Sequence, residues 1–524
     1  MWISTKIHFL ILFLLVLGCP HQAKGQSGID ADGDGLPDKR LKIFSSLTSG
    51  GRSSVLLEFV ANVPDGIVSL QFQFGTNGWY QSRTTANLEW EENGLPTVEV
   101  IEAVLNLVED LNISSYVEFA EYFSSIEYLN LGVKLAPNKI IELQLVGEQL
   151  SSPFGEFLGV PGDATAAALN VTVVTPSESG FVTVWPCGVS RPESSNLNFI
   201  EGDVVPNGVI ASIGSSGSVC FYTSSETDLL VDVAGWFEGT AYTSATPTRL
   251  VDTRDGTGGT QGRTDANSPL TIAVTNLPIL DATGAPTTTP SIIGAVALNI
   301  TVVSPSASGF ITVWPCDVER PLSSNINYVA GQVVPNGVVA PVSADGTVCL
   351  YSQAATDVVV DLAGWFQGQL FTGSTPTRLV DTRDGTGGRI GAITNTDELS
   401  VPIHNVTLNV GDQDQAIPVT ATAAALNITV ANPVASGFIT VWPCGVARPL
   451  SSNLNYTPGS VVANNVIAPI SNEGSVCLYS SVPSDVIVDI SGWFLDDSTG
   501  AFVGTTPTRL VDTRDGTGPA PVQE

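Results

Sequence analysis

The chain has 524 residues, of which only 14% are charged, and its formal net charge is −31. Nucleic-acid binding depends on lysine and arginine side chains that displace counterions from phosphates, so such an acidic chain is excluded from that class. The length allows several domains, each large enough to bury a core of its own.

The first residues predict export. Lys6 precedes an apolar run at residues 7–17, which is too short to span a bilayer and has the pattern of a signal peptide. We expect a signal peptide of residues 1–25. In a second interpretation the signal ends before Cys19, and lipidation of that cysteine anchors the protein to a membrane. Both interpretations predict an exported protein of the cell envelope or the extracellular space, with no other membrane contact.

A cluster of aspartates follows in residues 26–40. Four carboxylates have the D-x-D-x-D-G-x-x-D spacing that oxygen-seeking Ca²⁺ requires: Asp30, Asp32, Asp34 and Asp38. As an EF-hand loop the motif is incomplete, because Leu41 stands where the last ligand, a glutamate, is needed. It resembles a single thrombospondin type 3 calcium repeat, which implies a linker stiffened by Ca²⁺. A solvated acidic linker is the alternative.

Residues 41–135 have a mixed pattern. The alternation in residues 67–74 predicts a half-buried antiparallel strand, and Ser115 to Glu118 forms a capping box before a second apolar stripe. Six apolar residues recur at helical spacing: Val98, Ile101, Val104, Leu105, Val108 and Leu111. We expect a small α+β region here.

A long internal repeat accounts for the rest of the chain. Similar segments containing TVWPC begin at Val182, Ile311 and Ile439. A period of about 130 residues means that whole domains were copied. We expect three modules, at residues 136–262, 263–391 and 392–524.

Six cysteines fall two in each module. Because the two are always 33 positions apart, we expect three disulfides within modules: Cys187–Cys220, Cys316–Cys349 and Cys444–Cys477. Zinc is the weaker alternative, since the chain has only 3 histidines.

Short runs of Val, Ile, Thr and aromatic residues, separated by Gly, Pro, Asn and Ser, predict β-strands throughout the modules. The run DVVVDLAGWF at residues 357–366 is almost wholly apolar, as in strands that are buried on both faces. The expected fold is mainly β: three tandem disulfide-stapled β-sandwich modules, jelly-roll-like, after the small α+β region.

The segment RLVDTRDGTG is the most charged part of each module. Planar guanidinium groups pair bidentately with carboxylates, so we expect a structural network at a strand end or at a junction between modules. Its members are Arg249, Asp252, Arg254, Asp255, Arg378, Asp381, Arg383, Asp384, Arg509, Asp512, Arg514 and Asp515. Calcium or sugar binding by these groups, and catalysis by paired aspartates, are the alternatives.

Three tryptophans could offer flat faces to sugar rings: Trp185, Trp314 and Trp442. Each precedes Pro and Cys in a β segment, and aromatic residues beside a disulfide are more typical of core packing. The SSNLN asparagines are expected to satisfy backbone groups at a bend, with a ligand groove as the alternative: Asn196, Asn198, Asn325, Asn327, Asn453 and Asn455.

The modules resemble β modules found in tandem in secreted and cell-surface bacterial proteins. The resemblance rests on the motifs RLVDTRDGTG, TVWPC, SNLNY, VCLY and GWF, and it implies an extracellular β module without a particular biochemical role. In such arrays TPTRLVDTRDGTG often opens a module. Each boundary above is therefore set only to within about 20 residues.

The sequence favours a non-catalytic protein. Once the signal is removed His404 is the only histidine, and the cysteines are expected to be paired, so catalytic triads and zinc centres lack their parts. The leading interpretation is adhesion or matrix contact with an unknown surface or matrix ligand. An array of carbohydrate-binding modules that recognises a glycan is the second. A polysaccharide hydrolase in residues 41–135, using two carboxylates, is the third.

Overall fold

The computed structural model describes most of the chain from residue 138 onward and four strands before it. The described residues are 39–48, 52–63, 66–75, 78–84, 138, 140–146, 151–152, 155–156, 160–367, 370–411, 413–497 and 500–514. Every regular element among them is a β-strand. None of these residues forms a helix that is long and apolar enough to cross a bilayer.

The chain divides into two compact units. One is formed by Met1–Lys134 with Thr513–Thr517, and the other by Leu135–Asp512 with Gly518–Glu524. The first contains an antiparallel sheet in the order β1-β2-β3-β4: Lys39–Thr48, Arg52–Val63, Gly66–Gly75 and Gly78–Thr84. The strand predicted at residues 67–74 is β3. The predicted helical stripe at residues 98–111 and the capping box lie outside the described residues.

The second unit consists of three modules, each with eight main strands. In module 1 these are β5 (Ile140–Gln144), β8 (Ala164–Val174), β9 (Gly180–Pro186), β10 (Leu197–Phe199), β11 (Val204–Ser212), β12 (Ser218–Thr223), β13 (Asp228–Gly239) and β34 (Gly500–Asp512). In module 2 they are β14 (Thr243–Asp252), β15 (Leu270–Ala273), β18 (Ala295–Val303), β19 (Gly309–Pro315), β20 (Ile326–Tyr328), β21 (Val333–Pro341), β22 (Thr347–Ser352) and β23 (Asp357–Phe366). In module 3 they are β24 (Phe371–Asp381), β25 (Leu399–Pro402), β28 (Ala423–Ala431), β29 (Gly437–Pro443), β30 (Leu454–Tyr456), β31 (Val462–Pro469), β32 (Ser475–Ser480) and β33 (Asp485–Phe494).

Three small hairpins complete the set of strands in the described part of the chain. They are β6 and β7 (Ser151–Ser152 and Gly155–Glu156), β16 and β17 (Pro278–Leu280 and Pro286–Thr288), and β26 and β27 (Thr407–Val410 and Gln413–Ala416).

Each module is a sandwich of two four-stranded antiparallel sheets. In module 2 the strand orders are β14-β23-β18-β21 and β15-β22-β19-β20, and module 3 repeats them as β24-β33-β28-β31 and β25-β32-β29-β30. This arrangement is that of an eight-stranded jelly roll. The apolar run at residues 357–366 is β23, which lies between two other strands, as its composition predicts. The predicted fold of three disulfide-stapled β-sandwich modules is confirmed.

The TPTRLVD segment is the first strand of a module. It forms the end of β14, which pairs with β23, and of β24, which pairs with β33. Module 2 therefore starts at the strand beginning with Thr243 and module 3 at the one beginning with Phe371. Boundaries at residues 262 and 391 would cut this strand from its own sheet and assign it to the preceding module.

Module 1 receives its corresponding strand from the other end of the chain. Its two sheets have the orders β11-β8-β13-β34 and β10-β9-β12-β5, and β34 pairs with β13. The last TPTRLVD segment thus completes the first module, and the three modules form a closed ring.

The sheets that contain β13, β23 and β33 face one another and are called the inner sheets. Their shared core has three phenylalanines in mutual contact: the ring centroids of Phe237, Phe366 and Phe494 lie 5.4 to 5.7 Å apart. A second set lies between them: Tyr242, Phe371 and Phe502. Small residues on the neighbouring strands leave room for the rings: Ala166, Ala168, Ala295, Ala297, Ala423 and Ala425.

Each inner sheet has the TPTRLVD strand at one edge and β11, β21 or β31 at the other. Asparagines from neighbouring modules form hydrogen bonds to these three edge strands. An edge strand has N–H groups without a partner in its own sheet. Here an asparagine Oδ1 of another module accepts one of them: Gly337 N–H to Asn207 at 2.8 Å, Asn465 N–H to Asn336 at 3.1 Å, and Gly208 N–H to Asn464 at 2.8 Å. The same asparagines donate from Nδ2 to Asn299, Asn427 and Asn170, so the bonds run once around the ring.

Two glycines allow this close approach. A Cβ added to Gly208 would lie 2.1 Å from the carbonyl oxygen of Asn465, and one added to Gly337 would lie 2.2 Å from that of Gly208. We expect Gly337→Ala to destabilise the ring by about 3 kcal/mol, because backbone atoms must move. Gly162→Ala is the matched control, since its nearest neighbour would be a Val146 methyl at 3.9 Å. Equal melting temperatures for the two variants would contradict the role of Gly337.

Tyr242 places a hydroxyl in the central core where the other modules have Phe371 and Phe502. The hydroxyl is buried without a hydrogen-bond partner among the described residues, and burial raises the pKa of Tyr242. We expect Tyr242→Phe to stabilise the protein by about 1 to 3 kcal/mol, because an unsatisfied buried hydroxyl is removed. Phe371→Tyr should have the opposite effect. Chemical denaturation of both variants would measure this, and a destabilised Tyr242→Phe variant would disagree with the expectation.

Candidate functional site

In the charged segment of module 2, one arginine at the end of β14 pairs with two aspartates. Arg249 donates from Nε to Asp361 Oδ1 at 2.7 Å and from Nη2 to Asp361 Oδ2 at 3.3 Å. Its Nη1 reaches Asp252 at 3.2 Å. Arg249 lies on β14 and Asp361 on β23, so this ion pair links two neighbouring strands of the inner sheet.

A second arginine completes this group. Arg254 donates to both oxygens of Asp252, at 2.8 and 2.6 Å. These hydrogen bonds lower the pKa of Asp252. Burial raises the pKa of Asp361, and the bonds from Arg249 offset that only in part. Burial lowers the pKa of Arg249, but its pairing with Asp361 raises it overall.

The pairing of the strand arginine with a buried aspartate and with the strand-end aspartate recurs in the other two modules. In module 3, Arg378 pairs with Asp489 at 2.9 Å and with Asp381 at 3.0 Å, and Arg383 pairs with Asp381 at 2.6 Å. At the ring closure, Arg509 of β34 pairs with Asp232 of β13 and with Asp512, the latter at 2.7 Å.

Not every predicted member takes part in the same way. Asp255 and Asp384 are exposed and accept the turn N–H groups of Thr257 and Thr386, each at 2.9 Å. Arg514 has an interaction partner, whereas Asp515 lies outside the described residues.

The buried aspartates of the apolar strands were not among the predicted residues. Asp232, Asp361 and Asp489 are each 2% exposed. A carboxylate inside an apolar run such as DVVVDLAGWF, present once in every module, is the signal that could have identified them.

This network also touches a junction between modules. Arg249 belongs to module 2, and its Nη2 donates to the carbonyl oxygen of Glu193 in module 1 at 3.1 Å. The guanidinium of Arg249 is thus occupied by two carboxylates and a backbone oxygen, and those of Arg378 and Arg509 by two carboxylates each, which is the geometry of a structural clamp. No group of three or more His, Cys, Asp or Glu able to hold a metal ion is found among the described residues.

The predicted disulfides and tryptophans lie together on the second sheet of each module, called the outer sheet. The cysteine pairs form the bonds Cys187–Cys220, Cys316–Cys349 and Cys444–Cys477. Trp185, Trp314 and Trp442 are 3%, 6% and 1% exposed, and each indole N–H donates to a backbone carbonyl four residues later. Buried indoles leave no free face for a sugar ring. Disulfides of this kind belong to an oxidising compartment.

The SSNLN asparagines also bond to the protein itself. Asn196 Oδ1 accepts the N–H of Val184 at 2.7 Å, and Asn325 and Asn453 make the same bond in the other modules. Asn198, Asn327 and Asn455 bond to a serine three residues earlier. They stabilise the segment between β9 and β10 and its two counterparts.

That segment carries an exposed arginine in each of the three modules. In module 1 the guanidinium carbon of Arg191 lies 3.6 Å from the ring centroid of Tyr222, and Phe181 packs beside this ring at 5.8 Å. We call these groups the arginine–aromatic clusters. Their members are Arg191, Tyr222 and Phe181; Arg320, Tyr351 and Phe310; and Arg448, Tyr479 and Phe438.

The arginine–aromatic clusters combine exposed donors with half-buried rings. The three arginines are exposed and have no hydrogen-bond or ion-pair partner among the described residues. Stacking on tyrosine fixes a guanidinium without using its N–H groups. Each module therefore presents one oriented set of donors next to apolar ring edges, which suits hydroxyl-rich ligands.

Asp30, Asp32, Asp34 and Asp38, the expected Ca²⁺ ligands, lie outside the described residues, as does Cys19. His404 is half-buried, and its Nε2 lies 2.9 Å from the carbonyl oxygen of Ala421.

Comparison with known proteins adds no family. No family model and no curated protein matches the chain. Among solved structures, it is similar to one titled "The Triple Jelly Roll Fold and Turret Assembly in an Archaeal Virus", with 10% identity over 71% of this chain and 85% of that one and a TM-score of 0.18. Another, of Sulfolobus Turreted Icosahedral Virus, gives 10% identity, coverages of 70% and 86%, and a TM-score of 0.18. The jelly-roll description of this chain rests on its own strand order.

Asp252 gives the network a pH dependence that can be measured. Its pKa in the folded protein is lowered, so its contribution to stability is complete above its unfolded pKa of about 3.9 and is lost as the pH falls through the lower folded value. We expect Asp252→Asn to lower the melting temperature at pH 7, with the difference from the wild type shrinking towards pH 2. Asp345→Asn, on an exposed turn, is the control and should change little. A difference independent of pH would argue against an ionised network.

Proposed function

We propose that the protein is an exported, non-catalytic repeat protein of the cell surface or extracellular space that contacts a surface or matrix through its arginine–aromatic clusters. The observation that carries the proposal is the presence of one cluster in each module of a closed ring. Three equal contacts held on one rigid scaffold bind a repetitive surface with high avidity even when each contact is weak.

The negative net charge of the chain disfavours polyanionic ligands. A net charge of −31 repels polyanions at long range, and three arginines are too few to reverse that. Guanidinium N–H groups donate hydrogen bonds to the hydroxyl oxygens of neutral polysaccharides or glycoproteins, and the half-buried rings beside them add apolar contact area. This chemistry favours the second candidate, an array of carbohydrate-binding modules, as the molecular means of surface contact.

The predicted Ca²⁺ linker fits the same proposal. A linker that carries Asp30, Asp32, Asp34 and Asp38 would stiffen on binding Ca²⁺, because the cation neutralises four clustered carboxylates. Its resemblance to a thrombospondin type 3 repeat, and that of the modules to bacterial cell-surface arrays, support an extracellular location. Lipidation at Cys19 would add a membrane anchor to this arrangement.

The clusters provide the test. We expect the full-length protein to bind at least one immobilised neutral polysaccharide or matrix glycoprotein, and the triple variant Arg191→Gln, Arg320→Gln, Arg448→Gln to lose most of that binding. A single Arg320→Gln variant should lose much less, because two clusters remain. Surface plasmon resonance on a panel that includes heparin measures both, with melting curves to show intact folding.

A second triple variant controls for charge. Replacing the same three residues with lysine keeps the charge but removes the planar stacking and the fixed donors, so binding should still fall. Full binding by the glutamine variant, or preferential binding of heparin, would contradict the proposal. So would the absence of binding to every member of the panel.

A further inference from the structure

Module 1 is completed by a strand from the far end of the chain. β13 pairs with β8 on one side and with β34 on the other, and the second pairing extends from Gly239 opposite Gly500 to Leu230 opposite Asp512. In modules 2 and 3 the corresponding strand belongs to the same module and precedes the others. The edge of β13 therefore accepts a strand that is distant in sequence. The residues adjacent to β13 in the chain do not determine which strand binds there.

The strand inserts side chains into two cores. Phe502 is 2% exposed and joins the central aromatic core, while Leu510 and Val511 are 4% and 3% exposed and join the sandwich core of module 1. Without β34, both cores would be open to water. The acceptor thus recognises an aromatic residue near the start of the strand and the apolar pair that follows the arginine.

One ion pair sets the register of the strand. Arg509 donates from Nε and Nη2 to the two oxygens of Asp232, which is buried in the middle of β13. A shift of one residue would move Arg509 to the other face of the sheet and separate the pair. Because a buried carboxylate without its partner is strongly unfavourable, the acceptor selects strands that carry arginine at this position.

The pair of strands that closes the ring, β13 and β34, is longer than the corresponding pairs in modules 2 and 3. β13 and β34 have 12 and 13 residues, against 10 and 10 for β23 and β14 and 10 and 11 for β33 and β24. The extra length adds backbone hydrogen bonds where the two strands are farthest apart in sequence. A long ladder of this kind can hold a strand that comes from elsewhere.

We propose that the edge of β13 is a strand-acceptor site for the TPTRLVD strand, filled by β34 of the same chain in the closed ring and by β34 of a second copy in assembled forms. Donor and acceptor are both present in every chain, so exchange between copies leads to dimers, larger rings or open chains. The short connection from β33 to β34 favours the closed ring in dilute solution, and a high protein concentration favours exchange. This inference concerns assembly and does not depend on the proposed function.

The first experiment uses the whole protein with a protease recognition sequence inserted between Asp497 and Gly500. After cleavage, we expect the fragment that contains β34 to co-elute with the rest in gel filtration. A labelled synthetic peptide of residues 500–514 should replace it after brief incubation in mild denaturant. The same peptide with Arg509→Gln should compete at least about a hundred-fold less well, since one partner of a buried pair is missing.

The second experiment tests exchange between intact chains. An Asp232→Asn chain has a damaged acceptor and an intact donor, and an Arg509→Gln chain has the reverse. Mixed at high concentration, they should form hetero-oligomers, seen as multiples of 54.7 kDa by mass spectrometry under native conditions, more readily than either alone. Release of the cleaved fragment without loss of stability, equal competition by the two peptides, or a mixture that behaves like its components would overturn the inference.

Discussion

The pairing of β34 with β13 is the contact on which the other features of the ring depend. An inner sheet that ends at β13 has a long edge of unpaired N–H and C=O groups, a buried carboxylate at Asp232 and an opening into the central core. β34 closes all three at once. The paired Arg509 and Asp232 are 277 residues apart, against 112 for Arg249 and Asp361. Loop-closure entropy grows only with the logarithm of this separation, so the extra cost is below about 1 kcal/mol. Closing the ring is therefore thermodynamically little harder than closing one module.

The inner sheets and the aromatic core make the modules mutually dependent. Each inner sheet contributes a phenylalanine to the contact among Phe237, Phe366 and Phe494, and an asparagine of each module covers the edge strand of another. These hydrogen bonds provide partners for backbone groups that would otherwise be buried without one. The free-energy cost of such an unsatisfied group is larger than the net contribution of a typical hydrogen bond. A sandwich that could fold alone, with a disulfide and a core of its own, thereby becomes one third of a larger cooperative unit.

Much of the module could be predicted from local sequence, and the ring could not. Apolar runs and turn residues identified the strands, and constant cysteine spacing identified the disulfides, because both signals lie within one module. Ring closure depends on which of three nearly identical TPTRLVD segments pairs with which GWF strand, and periodicity cannot distinguish them. The same limitation placed the module boundaries one strand too late. The Asn-Gly pairs of Asn207–Gly208 and Asn336–Gly337 have turn composition, yet they lie inside β11 and β21, because their glycines are needed for an approach between modules that no local pattern records.

The disulfides and the contacts between modules lie in different sheets of each module. The disulfides and their tryptophans lie on the outer sheets, where Trp185, Cys187 and Cys220 form a small core separate from that of the sandwich. The arginine–aspartate network, the asparagines and the aromatic core lie on the inner sheets. Reduction therefore weakens each module without removing any bond between modules, whereas loss of β34 opens the ring and leaves the disulfides intact. Because the disulfides and the arginine–aromatic clusters lie on the outer sheets, an exchange of the closing strand breaks none of the contacts that form them.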